Sequence, residues 1–454
     1  MSYNFLPCER DQSYLLPPSV ADWLPEGHLA WFVLDAVGQM DLSGFREKYR
    51  EDGTGSAAYQ PEMMVALLLY SYCVGERSSR RIEKLCETDV AFRVITANAR
   101  PDHATIARFR RRHREELEGL FGEILRLCGA AGLVKVGVVV VDGSKIKANA
   151  ALAANKTSDG IDAEVKKMLS EAEAKDAEED RQYGSARGDE LPEGLRRHDD
   201  RLKRLRECRE RLKREAAERE AEHERKLAER AAKEAESGEK LRGRKPKEPD
   251  GKKDEEAKAN VTDPDSRVMK TRSGYVQGYN AQAVVTEGQV ILAAEVTQEA
   301  NDAHQLQPML EKVAENLTAA GVEERPAVAL ADAGYCNEAS VLGMKPDGPE
   351  LFAATTKDWK QRKAMRERPP PRGRIPRGLN WRERMERKLL TRRGRELYRK
   401  RGMTVEPVFG QVKDVRGCDG FLLRGMDGAA CEWKLICSTH NLLKLWRSGL
   451  AVRN

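Results

Sequence analysis

The sequence lacks the features of exported, membrane-spanning and zinc-binding proteins. Its nine cysteines include no CxxC pair, and no histidine stands at zinc-finger spacing from them, which argues against a structural zinc site. The first dozen residues are polar and charged, whereas an export signal needs a basic tip followed by an apolar run. The longest apolar stretch, 63–74, falls short of the roughly 20 residues of a membrane helix. We therefore expect a cytoplasmic protein with reduced thiols and no membrane span.

Positive charge is only slightly in excess, but it is unevenly distributed. The chain of 454 residues has 80 Lys and Arg against 74 Asp and Glu, a net charge of +6. Segment 360–401 alone contains 18 basic and 4 acidic residues, so the rest of the chain is net negative. Trp359, Trp381 and Tyr398 lie in or beside this segment although aromatic residues are scarce overall. Such a composition suits contact with a phosphate backbone and stacking on bases, with an affinity that falls steeply with salt.

The chain up to about residue 134 shows helical periodicity, which predicts a helical N-terminal domain over 1–134. Within it, segment 101–114 begins with turn and capping residues and continues as a helix. Ile106 and Phe109 occupy one face of this helix, and arginines occupy most of the others. The segment alone fits a solvated amphipathic helix as well as a DNA-contacting one.

Buried strands are predicted beyond this point. The run Val136–Val141 indicates a strand that is buried on both faces and ends at Asp142, and the run 327–331 likewise leads into Asp332. Weaker strand patterns cover 279–285, 290–296 and 351–355, the first two joined by a turn. The pattern predicts an α/β domain over 135–454 with a mixed sheet and a carboxylate at the tip of two core strands.

A charged insertion interrupts this domain at 155–262. Glu, Lys, Arg and Ala fill most of its positions, and its leucines give only a broken heptad pattern. We expect a helical hairpin or short coiled coil over 160–236, followed by a flexible linker over 237–256. Its apolar content is too low for an independent core, so a solvated arm is the favoured interpretation.

Two strand-end aspartates and a helical glutamate predict a metal site for phosphodiester chemistry. Such chemistry uses divalent metal held by carboxylates, and the ends of core strands hold ligands rigidly. Taken singly, Asp142 and Asp332 are also typical turn residues. For the third carboxylate, we expect Thr404 to cap a helix with Glu406 in its first turn, and Lys413 to follow on the same face. A first-turn acid is also ordinary on its own.

Eight segments along the chain resemble, in order, the motifs of a DDE transposase of a bacterial insertion sequence, in the subgroup with a long charged insertion. They are 24–29, 75–82, 101–113, 141–145, 262–267, 278–282, 331–335 and 406–410. The resemblance implies a ribonuclease-H-like catalytic domain, an all-helical N-terminal DNA-binding domain and a helical or coiled-coil insertion.

The resemblance also implies the chemistry and the partners. Asp142, Asp332 and Glu406 would be the catalytic residues and would hold two Mg²⁺ ions, with Mn²⁺ as a substitute. The activity would be cleavage at the ends of the element, followed by attack of the freed 3′-hydroxyl on target DNA. Double-stranded DNA of the ends and of the target would be the partners, bound by a homodimer or higher oligomer associated with the bacterial nucleoid.

Further residues are implied to bind DNA. A related family signature contains a Tyr, an Arg, the Glu and a Lys, with two, three and six residues between successive members. In this chain, two, four and six residues stand between Tyr398, Arg401, Glu406 and Lys413. The extra residue falls by Gly402, where we expect a break before the helix, and it leaves Arg401 outside the family spacing. The implied DNA contacts are Tyr398, Arg401 and Lys413 and, for the terminal inverted repeats, Thr105, Arg108, Arg110, Arg111, Arg112 and Arg114.

Alternatives remain open at the level of residues and of function. Asp302 is a rival second carboxylate, but no core strand directly precedes it, so Asp332 is preferred. Asp263-Pro264-Asp265 indicates a turn. A non-catalytic DNA-binding remnant or regulator is the alternative function, and a structural coiled-coil protein is a weaker third.

Overall fold

The computed structural model describes residues 19–49, 57–168, 193–237, 256–271, 274–376 and 378–450, with 170, 245, 246 and 248. Before the first strand of the described chain, the backbone forms a 3₁₀ turn, Val20–Trp23, and then α-helices. These helices are α1 (Leu29–Gly38), α2 (Ser43–Arg46), α3 (Pro61–Cys73), α4 (Ser79–Thr88), α5 (Val90–Ile95), α6 (His103–Arg112) and α7 (Arg114–Ala130).

A six-stranded mixed sheet and a two-stranded ribbon follow. The strands are β1 (Val138–Lys147), β2 (Asn155–Thr157), β3 (Lys258–Asn260), β4 (Arg267–Thr271), β5 (Gly274–Thr286), β6 (Ile291–Thr297), β7 (Val328–Ala331) and β8 (Glu350–Ala353). The order in the main sheet is β4-β5-β1-β7-β8, with β6 also paired to β5, while β2 pairs with β3. β5 is antiparallel to β1, whereas β7 is parallel to β1 and to β8. The predicted mixed sheet is thus present.

Strand β1 is longer than the sequence indicated. It continues past Asp142 to Lys147 because β5 pairs with it antiparallel along its whole length beyond Val138. The prediction that Asp142 ends the strand is therefore wrong. Its parallel neighbour β7 does end there, since the last partners are Val141 and Ala331. Asp142 lies where the parallel half of the pairing stops.

Further helices lie between and after the strands, and four of them, at Leu306–Ala319, Trp381–Leu390, Arg392–Gly410 and Met426–Ser448, pack on the main sheet. They are α8 (Glu193–Ser237), α9 (Leu306–Ala319), α10 (Glu338–Leu342), α11 (Trp359–Glu367), α12 (Trp381–Leu390), α13 (Arg392–Gly410) and α14 (Met426–Ser448), with a π-helical turn at Gln411–Val415. None of the helices in the described ranges is apolar over a length that could cross a membrane.

One hydrophobic core runs from the N-terminal helices into the sheet. It joins buried side chains of α3 and α7 to those of β1, β5 and α14. A buried ion pair, Arg77 Nη1 to Glu432 Oε1 at 2.6 Å, also links the segment before α4 to α14. The predicted boundary at 134/135 lies between α7, which ends at Ala130, and β1, which begins at Val138, and the parts on either side of it share one core.

Helix α13 corrects the expected break near Gly402. It runs without interruption from Arg392, where Thr391 Oγ1 accepts the backbone N–H of Gly394 at 3.0 Å. Thr404 is inside the helix and buried, so it is not a cap, and Glu406 is near the C-terminal end rather than in the first turn. Packing of this helix against β1, β7 and β8 outweighs the local capping signal.

The insertion contributes α8 and a helical segment at 158–168. The first half of α8 packs on a small second cluster of buried side chains, and the second half is mostly exposed with ion pairs between successive turns. That cluster comprises Ile161, Met168, Leu205, Cys208, Leu212, Ala259 and Val261. Most of the expected linker, and residues 171–192 of the expected hairpin, lie outside the described residues.

Candidate active site

The central feature is a pair of aspartates on neighbouring parallel strands. Asp142 directly follows Val141 in β1, and Asp332 directly follows Ala331, the residue paired with Val141 in β7. Their carboxylates are held by nearby backbone amides: Gly143 N donates to Asp142 Oδ1 at 2.9 Å, and Gly334 N donates to Asp332 Oδ1 at 2.6 Å. The expectation that one sheet brings these residues together agrees with this geometry.

Arg401 of α13 bridges the two aspartates. Its Nη2 lies 3.0 Å from Asp142 Oδ2 and 4.0 Å from Asp332 Oδ2. The extra residue in the Arg401–Glu406 interval therefore does not displace Arg401 from the site, because a continuous helix carries it onto the sheet. Arg401 and Asp142 are both largely buried, which strengthens their interaction.

Burial raises the pKa of Asp142 to about 6. Arg401 opposes this shift, whereas the neighbouring charges of Asp332 and Asp302 add to it. A carboxylate in this environment is poised to bind a cation, since a cation would favour its ionised form.

Glu406 does not join the aspartates. It is exposed on α13, and its carboxylate lies beside Gly402, one turn back on the same helix, where a Cβ would be 3.3 Å from Glu406 Oε1. With Tyr398 and Arg401 it lines a cavity of about 470 Å³. Within the described ranges, no three acidic, histidine or cysteine side chains are arranged to hold a metal. The expected three-carboxylate metal site is therefore not assembled in this conformation. The oxygen ligands of Asp142 and Asp332 nevertheless fit the preference of Mg²⁺.

Lys413 contacts β1 instead of projecting freely. It lies in the π-helical turn, and its Nζ donates to Ser144 Oγ and, at 2.9 Å, to the carbonyl of Lys145. This half-buried position beside the site ties α13 to the strand that carries Asp142.

Asp302, the rival carboxylate, is also at this edge of the sheet. Its Oδ1 accepts from Asn280 Nδ2 at 2.7 Å and Gln282 Nε2 at 2.9 Å, and Lys145 Nζ is 3.6 Å away. Tyr335 donates its hydroxyl proton to Gln282 Oε1. Sequence reasoning gave no role to these four surrounding residues. For two of them, Asn280 and Gln282, the sequence did contain an indication, because they are alternate residues of one strand and therefore lie on the same face of the sheet.

The segment 263–265 is a structural turn, as the sequence indicated. Asp263 Oδ1 accepts from Tyr279 Oη at 2.8 Å and from the backbone N–H of Gly425 at 3.2 Å. Asp265 Oδ2 accepts from Met426 N at 3.0 Å. The two aspartates thus accept the backbone N–H groups at the beginning of α14 and do not contribute to the candidate site.

The arginines of α6 divide into exposed and buried groups. Arg108, Arg111 and Arg112 are exposed, and Arg112 stacks on Tyr49 at 4.6 Å. Arg110 was expected to contact DNA, but its side chain is only 4% exposed and its Nη2 donates to Arg77 O at 2.7 Å, so it belongs to the core.

Two other expected contacts near α6 have partners within the protein. Thr105 Oγ1 donates to Asp102 Oδ2 at 2.8 Å, and Thr105 N donates to Oδ1 of the same residue, so both belong to the helix cap. Arg114, at the start of α7, pairs with Asp427 at 3.2 Å.

Comparison with known families gave two matches. Residues 18–112 match the family described as Transposase domain (DUF772), and residues 256–442 match the family described as Transposase DDE domain. No curated protein and no solved structure matched the chain. The second match covers β4 to β8, including Asp332, and most of α14. The insertion helix α8 lies between the two matched regions.

The match over 256–442 and the mixed sheet together assign this part of the chain to the class of transposase DDE domains, which are ribonuclease-H-like. The two matches together identify the family more closely. This chain belongs to the DDE transposases of insertion sequences.

Proposed function

We propose that the chain binds the terminal inverted repeats of an insertion sequence and catalyses divalent-metal-dependent strand cleavage and strand transfer. The observation that carries this proposal is the placement of Asp142 and Asp332 on adjacent parallel strands beneath Arg401. In a chain of the transposase family, paired carboxylates at a rigid sheet edge are suited to phosphodiester chemistry.

Asp142 and Asp332 would hold the divalent ion, with Glu406 as the third ligand and DNA or water as the others. When bound, Mg²⁺ or Mn²⁺ supplies charge neutralisation at the scissile phosphate and lowers the pKa of the attacking water or 3′-hydroxyl. Arg401 holds the two aspartates together and offers a fixed positive charge beside the reacting phosphate. Lys413 anchors β1, so that the carboxylate of Asp142 keeps its position.

The basic segment 360–401 would bind the DNA backbone next to this site. It includes α11, α12 and the first half of α13, and at least ten of its basic side chains are exposed. Tyr398 and Arg401 line the cavity at its inner end, close to Glu406. In the N-terminal helices, Arg108, Arg111 and Arg112 offer an exposed basic surface on α6 for the inverted repeats.

One observation favours the alternative of a non-catalytic DNA-binding regulator. Glu406 is exposed and apart from the aspartate pair, so a third carboxylate does not complete the site in this conformation. As an enzyme, the protein would bring Glu406 toward the pair when DNA and metal bind.

Cleavage and joining of the cognate ends with and without Mg²⁺ separates the two functions. We expect metal-dependent nicking and strand joining by the full chain, and neither reaction by Glu406→Gln. Glu396→Gln changes an exposed acid on the same helix and should act as wild type. End binding without cleavage under all metal conditions would favour the regulator.

A further inference from the structure

A third aspartate, Asp302, lies against the same two glycines as the catalytic pair. A Cβ placed on Gly334 would be 2.8 Å from Asp332 Oδ1 and 3.2 Å from Asp302 Oδ2. A Cβ placed on Gly143, next to Asp142, would be 2.9 Å from Asp302 Oδ1. The carboxylates of all three aspartates therefore converge on one small region of the sheet edge.

The glycines at these positions provide clearance for side chains rather than a turn. Neither Gly143 nor Gly334 has a positive φ angle. A Cβ on Gly143 would lie 2.2 Å from Gln282 Nε2, a distance too short for any residue other than glycine at this position. Gly143 and Gly334 thus allow Asp302 and its amide partners to approach the backbone closely.

The position of Asp302 is fixed by two amide side chains on one face of β5. Asn280 and Gln282 stand opposite Lys145 and Gly143 in the β1–β5 pairing, and both are buried. Their amide groups donate to Asp302 Oδ1, while Oδ2 is the oxygen nearer Gly334. The carboxylate is therefore anchored through one oxygen.

Two further contacts define the orientation of this cluster. The hydroxyl of the fully buried Tyr335 donates to Gln282 Oε1, which leaves the Gln282 amide nitrogen to face Asp302. The other amide, that of Asn280, has a buried Oδ1 for which the described residues provide no donor. An unpaired buried acceptor beside three carboxylates is costly for folding alone and is typical of a functional site.

We infer that Asp302 is a positioning residue of the reaction centre, which increases the affinity of the Asp142–Asp332 pair for a divalent cation. The inference rests on the proposed function. Mg²⁺ keeps several of its waters in protein sites, and an anchored outer carboxylate can accept hydrogen bonds from them and add negative charge. Lys145, at 3.6 Å from Asp302, partly neutralises that charge.

Binding of Mn²⁺ to the full-length protein without DNA, measured by calorimetry, tests the inference. Loss of an outer-sphere partner typically weakens metal affinity by about 10- to 100-fold, and we expect this range for Asp302→Asn. Glu299→Gln is the matched control, because its side chain is half exposed in the same segment and pairs with His304. It should bind Mn²⁺ as the wild type does.

A second variant has an effect of the opposite sign. Lys145→Met removes the cation that faces Asp302, so we expect tighter Mn²⁺ binding, and a smaller gain from the same substitution in the Asp302→Asn background, a coupling that a merely structural role for Asp302 would not produce. Unchanged affinity in Asp302→Asn, or loss of its folded circular dichroism spectrum, would overturn the inference. Absence of Mn²⁺ binding by the wild-type protein would instead contradict the proposed function.

Discussion

Arg401 Nη2 lies 3.0 Å from Asp142 Oδ2, and this ion pair joins helix α13 to the central strand of the sheet. It is also the contact by which a helix formed more than 250 residues later in the chain reaches the first aspartate. The ion pair opposes the effect of burial on Asp142, so the ionisation of that carboxylate depends on the position of α13.

The pH dependence of cleavage should reflect this ion pair. Asp142 must be ionised to bind a cation, and its pKa is about 6, so activity should fall as the pH drops through about 6. Arg401 lowers this pKa, and its removal in Arg401→Gln should therefore move the acid limb of the pH–rate profile to higher pH. Single-turnover cleavage between pH 5 and 9 measures the shift. Arg399→Gln, an exposed neighbour, is the control, and an acid limb identical in both variants would rule out this role.

The buried pair Arg77–Glu432 should make a large contribution to stability. Both side chains are less than a tenth exposed, and Glu432 Oε2 also accepts the backbone N–H groups of Leu422 and Leu423. Glu432→Gln leaves the Arg77 charge buried without its partner, which typically costs about 3–5 kcal/mol. Urea unfolding should show this loss.

The exposed pair Arg46–Glu62 provides the comparison for that measurement. Its arginine side chain is 71% exposed, and exposed pairs usually contribute about 0–1 kcal/mol. Glu62→Gln should therefore leave the free energy of unfolding nearly unchanged. Equal losses in Glu432→Gln and Glu62→Gln would show that the buried pair does not hold the N-terminal helices on α14.

Substitutions at two arginines of α6 should affect different properties, one DNA binding and the other stability. Arg111 is exposed, so Arg111→Gln should weaken binding to the inverted repeats and reduce the slope of log affinity against log salt by about one. Arg110 is buried against Arg77 and Tyr72, so Arg110→Gln should lower the melting temperature and keep the salt slope. Fluorescence anisotropy at several salt concentrations measures both slopes. A reduced slope in Arg110→Gln with normal stability would reverse this assignment.

His440 should make the fold sensitive to acid. Burial lowers its pKa to about 4, whereas an unfolded histidine titrates near 6.5. The unfolded chain therefore takes up the proton first, and stability should fall as the pH decreases from about 6.5 to about 4. Thermal melts across this range should show a shallower decrease for His440→Gln than for the wild type. His304→Gln, at a histidine whose side chain is 79% exposed, is the control for the substitution itself, and a His440→Gln curve parallel to the wild type would contradict the prediction.

The sequence indicated the strands and the aspartates because buried β-branched runs produce a strong local signal. Val138–Val141 and the run before Asp332 were visible for this reason, and so was the mixed sheet. Long-range packing, however, has no local signal. The continuation of β1 beyond Asp142 depends on β5, and the passage of α13 through Gly402 depends on its contact with the sheet.

The same reason explains the residues that were missed or misassigned. Arg110 has the same sequence context as Arg111, and only the fold places its guanidinium against Arg77. Asp302 lacks a strand directly before it, but the side chains of Asn280 and Gln282 bring it to the site.

The most direct test of the central claim is single-turnover Mg²⁺-dependent cleavage of DNA carrying the element's ends, by the wild type and Asp332→Asn. Asp347→Asn, at an exposed aspartate of the same region, is the matched control. We expect the wild type and Asp347→Asn to cut at equal rates, and Asp332→Asn to give no detectable cleavage while binding the ends normally, since one metal-binding carboxylate is lost. Cleavage by Asp332→Asn at the wild-type rate would show that the aspartate pair is not the reaction centre.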